Sequence, residues 1–254
     1  TTNHVKMGVG DRKLAPMIAL VDPLLTLSLP RGLTLGTGLD ALTTRQLAAF
    51  TPTQIGELTA VQLGTLDATQ LRALTARQIG GLTSDQVGVL TTDQLASMTT
   101  TQIASFSEAG VKGLTATQLE ALSSSHFAAL TAAELESLTT TQIAQLSTTQ
   151  IAAMTGTQLR GLTSTGIGAL TTTQLGALTT SQFAALAGDE ISGLTSVQVA
   201  ALSMDQLAAL TTTQIASLST SAITGLTATE LEALSLRQLT AMTSTQVGAL
   251  TTTQ

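Results

Sequence analysis

Thr211-Thr212-Thr213-Gln214-Ile215-Ala216-Ser217-Leu218 is one of 26 octapeptides that run without insertion or deletion from Thr43 to Leu250. Position one is Thr or Ser in 24 units, with Asp67 and Ala187 in the other two. Position four is Gln in 19 units and Glu in three, namely Glu134, Glu190 and Glu230. Position five is aliphatic or Phe throughout, and position eight is Leu, Met or Phe throughout. Position seven is Gly, Ala or Ser in 22 units. An array that tolerates no gap implies that each unit meets its neighbours in one fixed register.

Three backbones compete for this pattern. In one continuous helix, eight residues advance roughly 80° beyond two full turns, so the apolar stripe winds around the helix and buries nothing consistently. In a strand, positions five and eight point to opposite faces. A short helix restarted in every unit fits the details better. Positions one and four spell Ser/Thr-x-x-Gln/Glu, the capping box, in which the hydroxyl accepts the amide three residues on and the Gln or Glu side chain accepts the cap residue's own amide. The preceding position eight and the following position five then form the hydrophobic staple. Pro52 directly after Thr51 stands at N1, where its missing amide hydrogen costs nothing, and Asp67 is another accepted cap.

The spacing therefore predicts a helix of one to two turns at positions two to seven, then a tight corner. So short a helix is unstable alone, and the fold expected is a mainly α solenoid with one capped helix per unit. Positions five and eight make its inner ladder, small residues at position seven let turns approach, and Thr/Ser rows lie outside. A β-solenoid is the alternative, because Thr, Ile and Val are good strand formers.

Residues 1–34 do not obey the repeat and read as an irregular N-terminal cap or docking segment; residues 35–254 read as the solenoid. Within it, 35–42 is a degenerate first repeat, 43–250 holds the full repeats, and 251–254 is a partial one. Leu14 to Leu29 is too short, and too broken by Pro16, Asp22 and Pro23, to span a bilayer. Leu25–Leu29 alternates and could form a short strand. The sequence stops halfway through a unit, so either the chain continues or another copy covers this end; the expectation is that the N-terminal region of one copy docks on the C-terminal turn of the next.

The composition fits a fibre better than a globule. The chain is 43% hydrophobic yet 10% charged and 2% aromatic, with no Cys, Trp or Tyr. Without cysteine there is no disulfide framework, thiolate metal site or thiol nucleophile. A net charge of −6 leaves no basic footprint for nucleic acid. No catalytic, cofactor-binding or metal-binding residue is expected, and the chain reads as no enzyme. His126 stands in a position-four slot as a substitute for Gln, and His4 has no second ligand at metal spacing. Asp85 and Asp93 occupy position three of adjacent units and would lie one above the other, two carboxylates being few for calcium. Gly8-Val9-Gly10 lacks the rest of a dinucleotide fingerprint. Ser123-Ser124-Ser125-His126 has no acidic orienter. Gly110, Gly166 and Ala222 at position four, with Glu120, Glu136, Glu232, Arg72, Lys112 and Arg160 at position six, read as a solvated face that drifts while the core slots stay fixed.

The string Leu138-Thr139-Thr140-Thr141-Gln142-Ile143-Ala144-Gln145-Leu146 resembles the low-complexity arrays of large secreted bacterial surface proteins of the adhesin-like kind, and the resemblance covers about four-fifths of the chain. It implies secretion, a Gram-negative source and a surface or matrix role. With the repeat, it leads to the expectation of an extracellular filament or matrix fibre whose partner is a further copy of itself. The alternative is an adhesin stalk whose Thr/Ser rows meet glycans, a surface or ice.

Overall fold

A computed structural model describes residues 42–254. The segment 1–34, and all but the last residue of the degenerate repeat 35–42, lie outside the described residues. So do His4, Gly8-Val9-Gly10 and the expected strand at Leu25–Leu29. Among the described residues, 26 short α-helices follow one another from Thr44–Leu47 to Ser244–Gly248, with no strand between them. The chain is an α solenoid, and the β-solenoid alternative does not hold.

Every helix begins at position two and ends at position five, six or seven, as in Ala76–Ile79, Thr172–Gly176 and Thr180–Ala185. The position-one residue is extended, with φ −68° and ψ 157° at Thr171, and its hydroxyl accepts the position-four amide. Pro52 occupies N1. Ala187 has no side-chain cap bond, although Glu190 Oε2 still accepts its amide at 2.6 Å. Position eight is extended as well, with φ −65° and ψ 138° at Leu186. Two extended residues therefore make each corner, and no described residue has a positive φ. The left-handed glycine that ends many helices is absent from these corners, so the last carbonyls of each helix need donors from elsewhere.

Stacking supplies them. Each helix packs on the helix three units along, as Gly188–Ser192 does on Thr212–Ser217. Yet the position-four side chain reaches carbonyls of the unit four before: Gln78 Nε2 donates to Leu47 O and Phe50 O, both at 2.8 Å. A helix thus sits over the seam between two helices of the preceding turn, and the hydrogen-bonded partner at that seam is 28 residues back. One solenoid turn takes about three and a half units. Neighbouring units lie side by side around the turn, so Asp85 and Asp93 are not one above the other; stacked residues come from units three or four apart.

A half-integral pitch has a sequence consequence. Seven units make the smallest whole number of turns, two, after which a unit faces the same direction again. Several departures from consensus repeat at that interval: Phe50 and Phe106, Met98 and Met154, Gly110 and Gly166, Phe127 and Phe183, and Glu134 and Glu190 are each seven units apart. Unusual residues recur where the local packing recurs.

The core is the inner ladder expected. Ile55, Leu119, Ile167, Phe183 and Ile215 at position five are fully buried, and position eight is nearly so. Position four departs from expectation. It is interior, not part of a solvated face: Gln214 is 2% exposed, Gln78 2% and Ala222 0%. Position six is mostly exposed, as read. Position seven is where turns touch. A methyl on Gly81, Gly113, Gly161, Gly193 or Gly225 would overlap the position-two carbonyl of the unit three before (Pro52, Ser84, Ala132, Ser164 and Ser196 respectively).

Candidate functional site

The feature repeated along the whole array is the seam between turns, and the position-four glutamine is its centre. In the 171–178 unit, Gln174 Oε1 accepts the Thr171 amide at 2.7 Å, and the Gln174 amide is in turn capped by Thr171 Oγ1 at 3.1 Å. That reciprocal pair is the capping box. The same side chain's Nε2 donates across the seam to Ile143 O at 2.9 Å and Leu146 O at 2.7 Å. One amide therefore satisfies a helix start in its own turn and a helix end in the turn before. Gln198, Gln206, Gln214, Gln238 and Gln246 repeat the arrangement at positions five and eight of the unit four earlier. Gln254 in the partial unit already donates to Ile223 O and Leu226 O.

Sequence reasoning found the capping half of this residue and missed the cross-turn half. Glutamine and glutamate serve the cap equally, since only the accepting oxygen is used. The preference for Gln in 19 units against Glu in three was the available signal. A slot that needs only an acceptor has no reason to discriminate; one that also needs a donor does.

The exceptions follow from this dual role. His126 does stand in for Gln: Ser123 Oγ caps its amide at 3.2 Å and its Nε2 lies 3.0 Å from Met98 O, the position-eight carbonyl. It reaches one carbonyl where Gln reaches two, and its buried Nδ1 has no partner. With Nε2 facing a carbonyl, the ring carries its proton there. Ser123 Oγ is 3.0 Å from Ser125 Oγ and serves as a cap, so no hydroxyl is aligned with the imidazole. Gly110, Gly166 and Ala222 are buried in the slot and supply no side-chain donor.

Glu134 is 4% exposed, and its Oε2 accepts the Thr131 amide at 2.6 Å. Burial pushes its carboxyl above the usual range, against the lowering effect of the Thr131 hydrogen bonds. Among the described residues no three His, Cys, Asp or Glu side chains gather as a metal site would require, and no helix is long and apolar enough to cross a membrane. The outer faces carry hydroxyls: Thr171–Thr173 and Thr211–Thr213 are all exposed.

Comparison with known proteins agrees with a repeat array. A stretch of 43 residues, 17% of the chain, is 54% identical to part of the NAD-dependent methanol dehydrogenase of Bacillus methanolicus, of whose length the chain spans 11%. Residues 60–92, 156–188 and 189–220 match the ALTTAQ repeat family. The string Ala169-Leu170-Thr171-Thr172-Thr173-Gln174 differs from that name at one residue. The chain is thus an α-solenoid array carrying three segments similar to ALTTAQ repeats.

Proposed function

We propose that the chain is a non-catalytic structural rod, a building unit of an extracellular or cell-surface filament or matrix fibre in which solenoids stack end to end. The single observation behind this reading is the chemistry of a turn's edge. A turn is completed only by another turn. Position-five side chains that a following turn covers are exposed to 3% or less, as Ile215 at 0% and Ile143 at 3%, against 41% at Leu239 and 52% at Val247 in the last two full units. The position-five and position-eight carbonyls beside them are the acceptors that elsewhere take a Gln from the next turn. The opposite edge of a turn presents glutamine Nε2 donors, as Gln174 does to Ile143 O and Leu146 O. Donor row and acceptor row are complementary, and a second copy supplies the same chemistry as a further turn of one chain. Contacts of this kind are head-to-tail and propagate without closing. Low charge leaves little repulsion against them.

The test is light scattering coupled to size exclusion over a range of protein concentrations. Polymers that grow with concentration, and that disappear in a Leu239→Lys/Val247→Lys variant with unchanged helicity, are expected. A protein that stays monomeric at high concentration, with a folded last turn, overturns the reading.

A second reading has one observation of its own. The exposed Thr rows, as at Thr171–Thr173 and Thr211–Thr213, offer a hydroxyl-rich face to glycans or ice. Binding on a glycan array, or ice shaping by protein that does not polymerise, would favour an adhesin stalk over a fibre.

A further inference from the structure

Along the chain the exposed charges are scattered; wound at about three and a half units per turn, they separate by sign. Steps of three and four units, taken alternately, keep to one side of the solenoid. From 59–66 such steps collect the units that begin at residues 59, 83, 91, 115, 139, 147, 171, 195, 203 and 227. Cross-turn bonds tie this side together, as from Gln94 Nε2 to Leu66 O at 3.0 Å, Gln118 Nε2 to Leu90 O at 2.6 Å and Gln206 Nε2 to Leu178 O at 3.0 Å. It carries five exposed carboxylates, Asp85, Asp93, Glu120, Asp205 and Glu232, and no Lys or Arg.

The adjoining side begins at 43–50 and continues through the units starting at 67, 99, 123, 155, 179, 211 and 235. It holds Arg45, Arg72, Arg160 and Arg237, all exposed, against one acid, Asp67, which serves as an N-cap. Arg72 Nε donates to Ser97 O at 2.5 Å and Arg160 Nη1 to Ala185 O at 3.4 Å. Each guanidinium has five N–H donors, so both stay able to meet a carboxylate. The core divides along the same line: Phe50, Phe106, Phe127 and Phe183, the only Phe of the chain, are buried under the arginine side. The remaining side mixes signs, with Glu57, Glu108, Glu136 and Asp189 beside Arg77 and Lys112.

A second property falls on the acidic side. Val61, Val89, Val197 and Met204 are exposed there; apart from Leu239 and Val247 in the last two full units, the other large apolar side chain exposed among the described residues is Leu236, on the arginine side. Single exposed apolar residues need no explanation, but their collection on one side marks a surface that is covered.

We propose that the acidic side is an interaction surface whose partner is the arginine side of a second copy, so that rods lie flank to flank as well as end to end. The contact rests on the fibre reading for its partner, a second copy, and uses none of the turn-edge residues. Carboxylates meet guanidiniums in charge-assisted pairs, and the exposed Val and Met side chains leave water between those pairs. Two acidic sides repel each other, which selects the acid-to-arginine orientation. Because the two surfaces differ, the contact is heterologous and passes from copy to copy.

The test is sedimentation velocity of the full chain in about 0.01 M and about 1 M salt, where charges are screened over roughly 30 Å and 3 Å. The parent should associate in dilute salt, and the higher salt should weaken that association about tenfold or more. End-to-end contacts are apolar and hydrogen-bonded and should survive the salt, so the two readings fail separately. The variant Asp85→Asn/Asp93→Asn/Glu120→Gln/Glu232→Gln neutralises the acidic side. The control Glu57→Gln/Glu108→Gln/Glu136→Gln/Asp189→Asn removes as many charges from the mixed side and has the same net charge. The acidic-side variant should lose the salt-sensitive association and the control should keep it. Arg45→Gln/Arg72→Gln/Arg160→Gln/Arg237→Gln should lose it as well. A parent with no salt-sensitive association overturns the proposal. So does an acidic-side or arginine variant that associates like the parent, or a control that loses as much as the acidic-side variant.

Discussion

Gln174→Ala should cost about 2 kcal/mol or more, because it strands the Thr171 amide and the Leu146 carbonyl at roughly 1–3 kcal/mol each, while the Ile143 carbonyl keeps the Leu146 amide. The Thr171 amide loses its acceptor in the same turn; the Ile143 and Leu146 carbonyls lose their donor from the turn above. Thr171→Ala, by contrast, removes one cap acceptor and should cost about 1 kcal/mol. Urea unfolding checks the difference in size. Hydrogen exchange checks the place, since the Thr171 amide should lose protection in the glutamine variant. A Gln174→Ala cost no greater than that of Thr171→Ala would reduce the side chain to a helix cap.

Gly193→Ala and Gly176→Ala add the same single methyl and should move stability in opposite directions. At Gly193, whose backbone is ordinary helix at φ −78° and ψ −12°, the methyl would run into the carbonyl and Cα of Ser164, backbone on backbone, with no flexible side chain to give way. Prising the two turns apart should cost about 1–3 kcal/mol. At Gly176 nothing lies within 4 Å of the added methyl. There the loss of glycine's backbone freedom should stabilise by about 0.5–1 kcal/mol. Thermal unfolding of the pair gives both signs in one experiment. Equal shifts would mean that position seven is not where turns touch.

Much of the fold is legible in one octapeptide. The cap at Thr211, the reciprocal Gln214, and the core pair Ile215 and Leu218 define where each helix starts, how short it is and which side it buries. These are local rules, and they operate within eight residues. What the octapeptide does not contain is the pitch. Nothing within Thr211–Leu218 says that Gln214 Nε2 will find Phe183 O, 31 residues back. For the same reason the octapeptide spacing alone suggests that Asp85 and Asp93 stack, whereas they lie side by side. Position four was read as a drifting surface because its departures, Gly110 and Ala222, are chemically unlike glutamine; both fit a buried slot that tolerates a lost side chain but rarely an unpaired charge. The long-range information was in the sequence in another form. Phe127 and Phe183, like Gly110 and Gly166, are seven units apart, a spacing with no meaning for a single helix and a direct one for a solenoid of about three and a half units per turn.

That pitch is the central claim, and a chain without cysteine allows it to be measured directly. A β-carbon added at Gly188 would lie 3.3 Å from Ser217 Cβ, close to the roughly 3.5–4.5 Å spacing of a disulfide. The two residues belong to different turns and come together only if a turn ends between three and four units on. In the double variant Gly188→Cys/Ser217→Cys, mild oxidation of the folded protein should close an intramolecular disulfide, read as loss of both free thiols and a faster-migrating species in a non-reducing gel. Two thiols that stay reduced in a folded, fully helical protein would contradict the pitch and the cross-turn glutamine ties that depend on it.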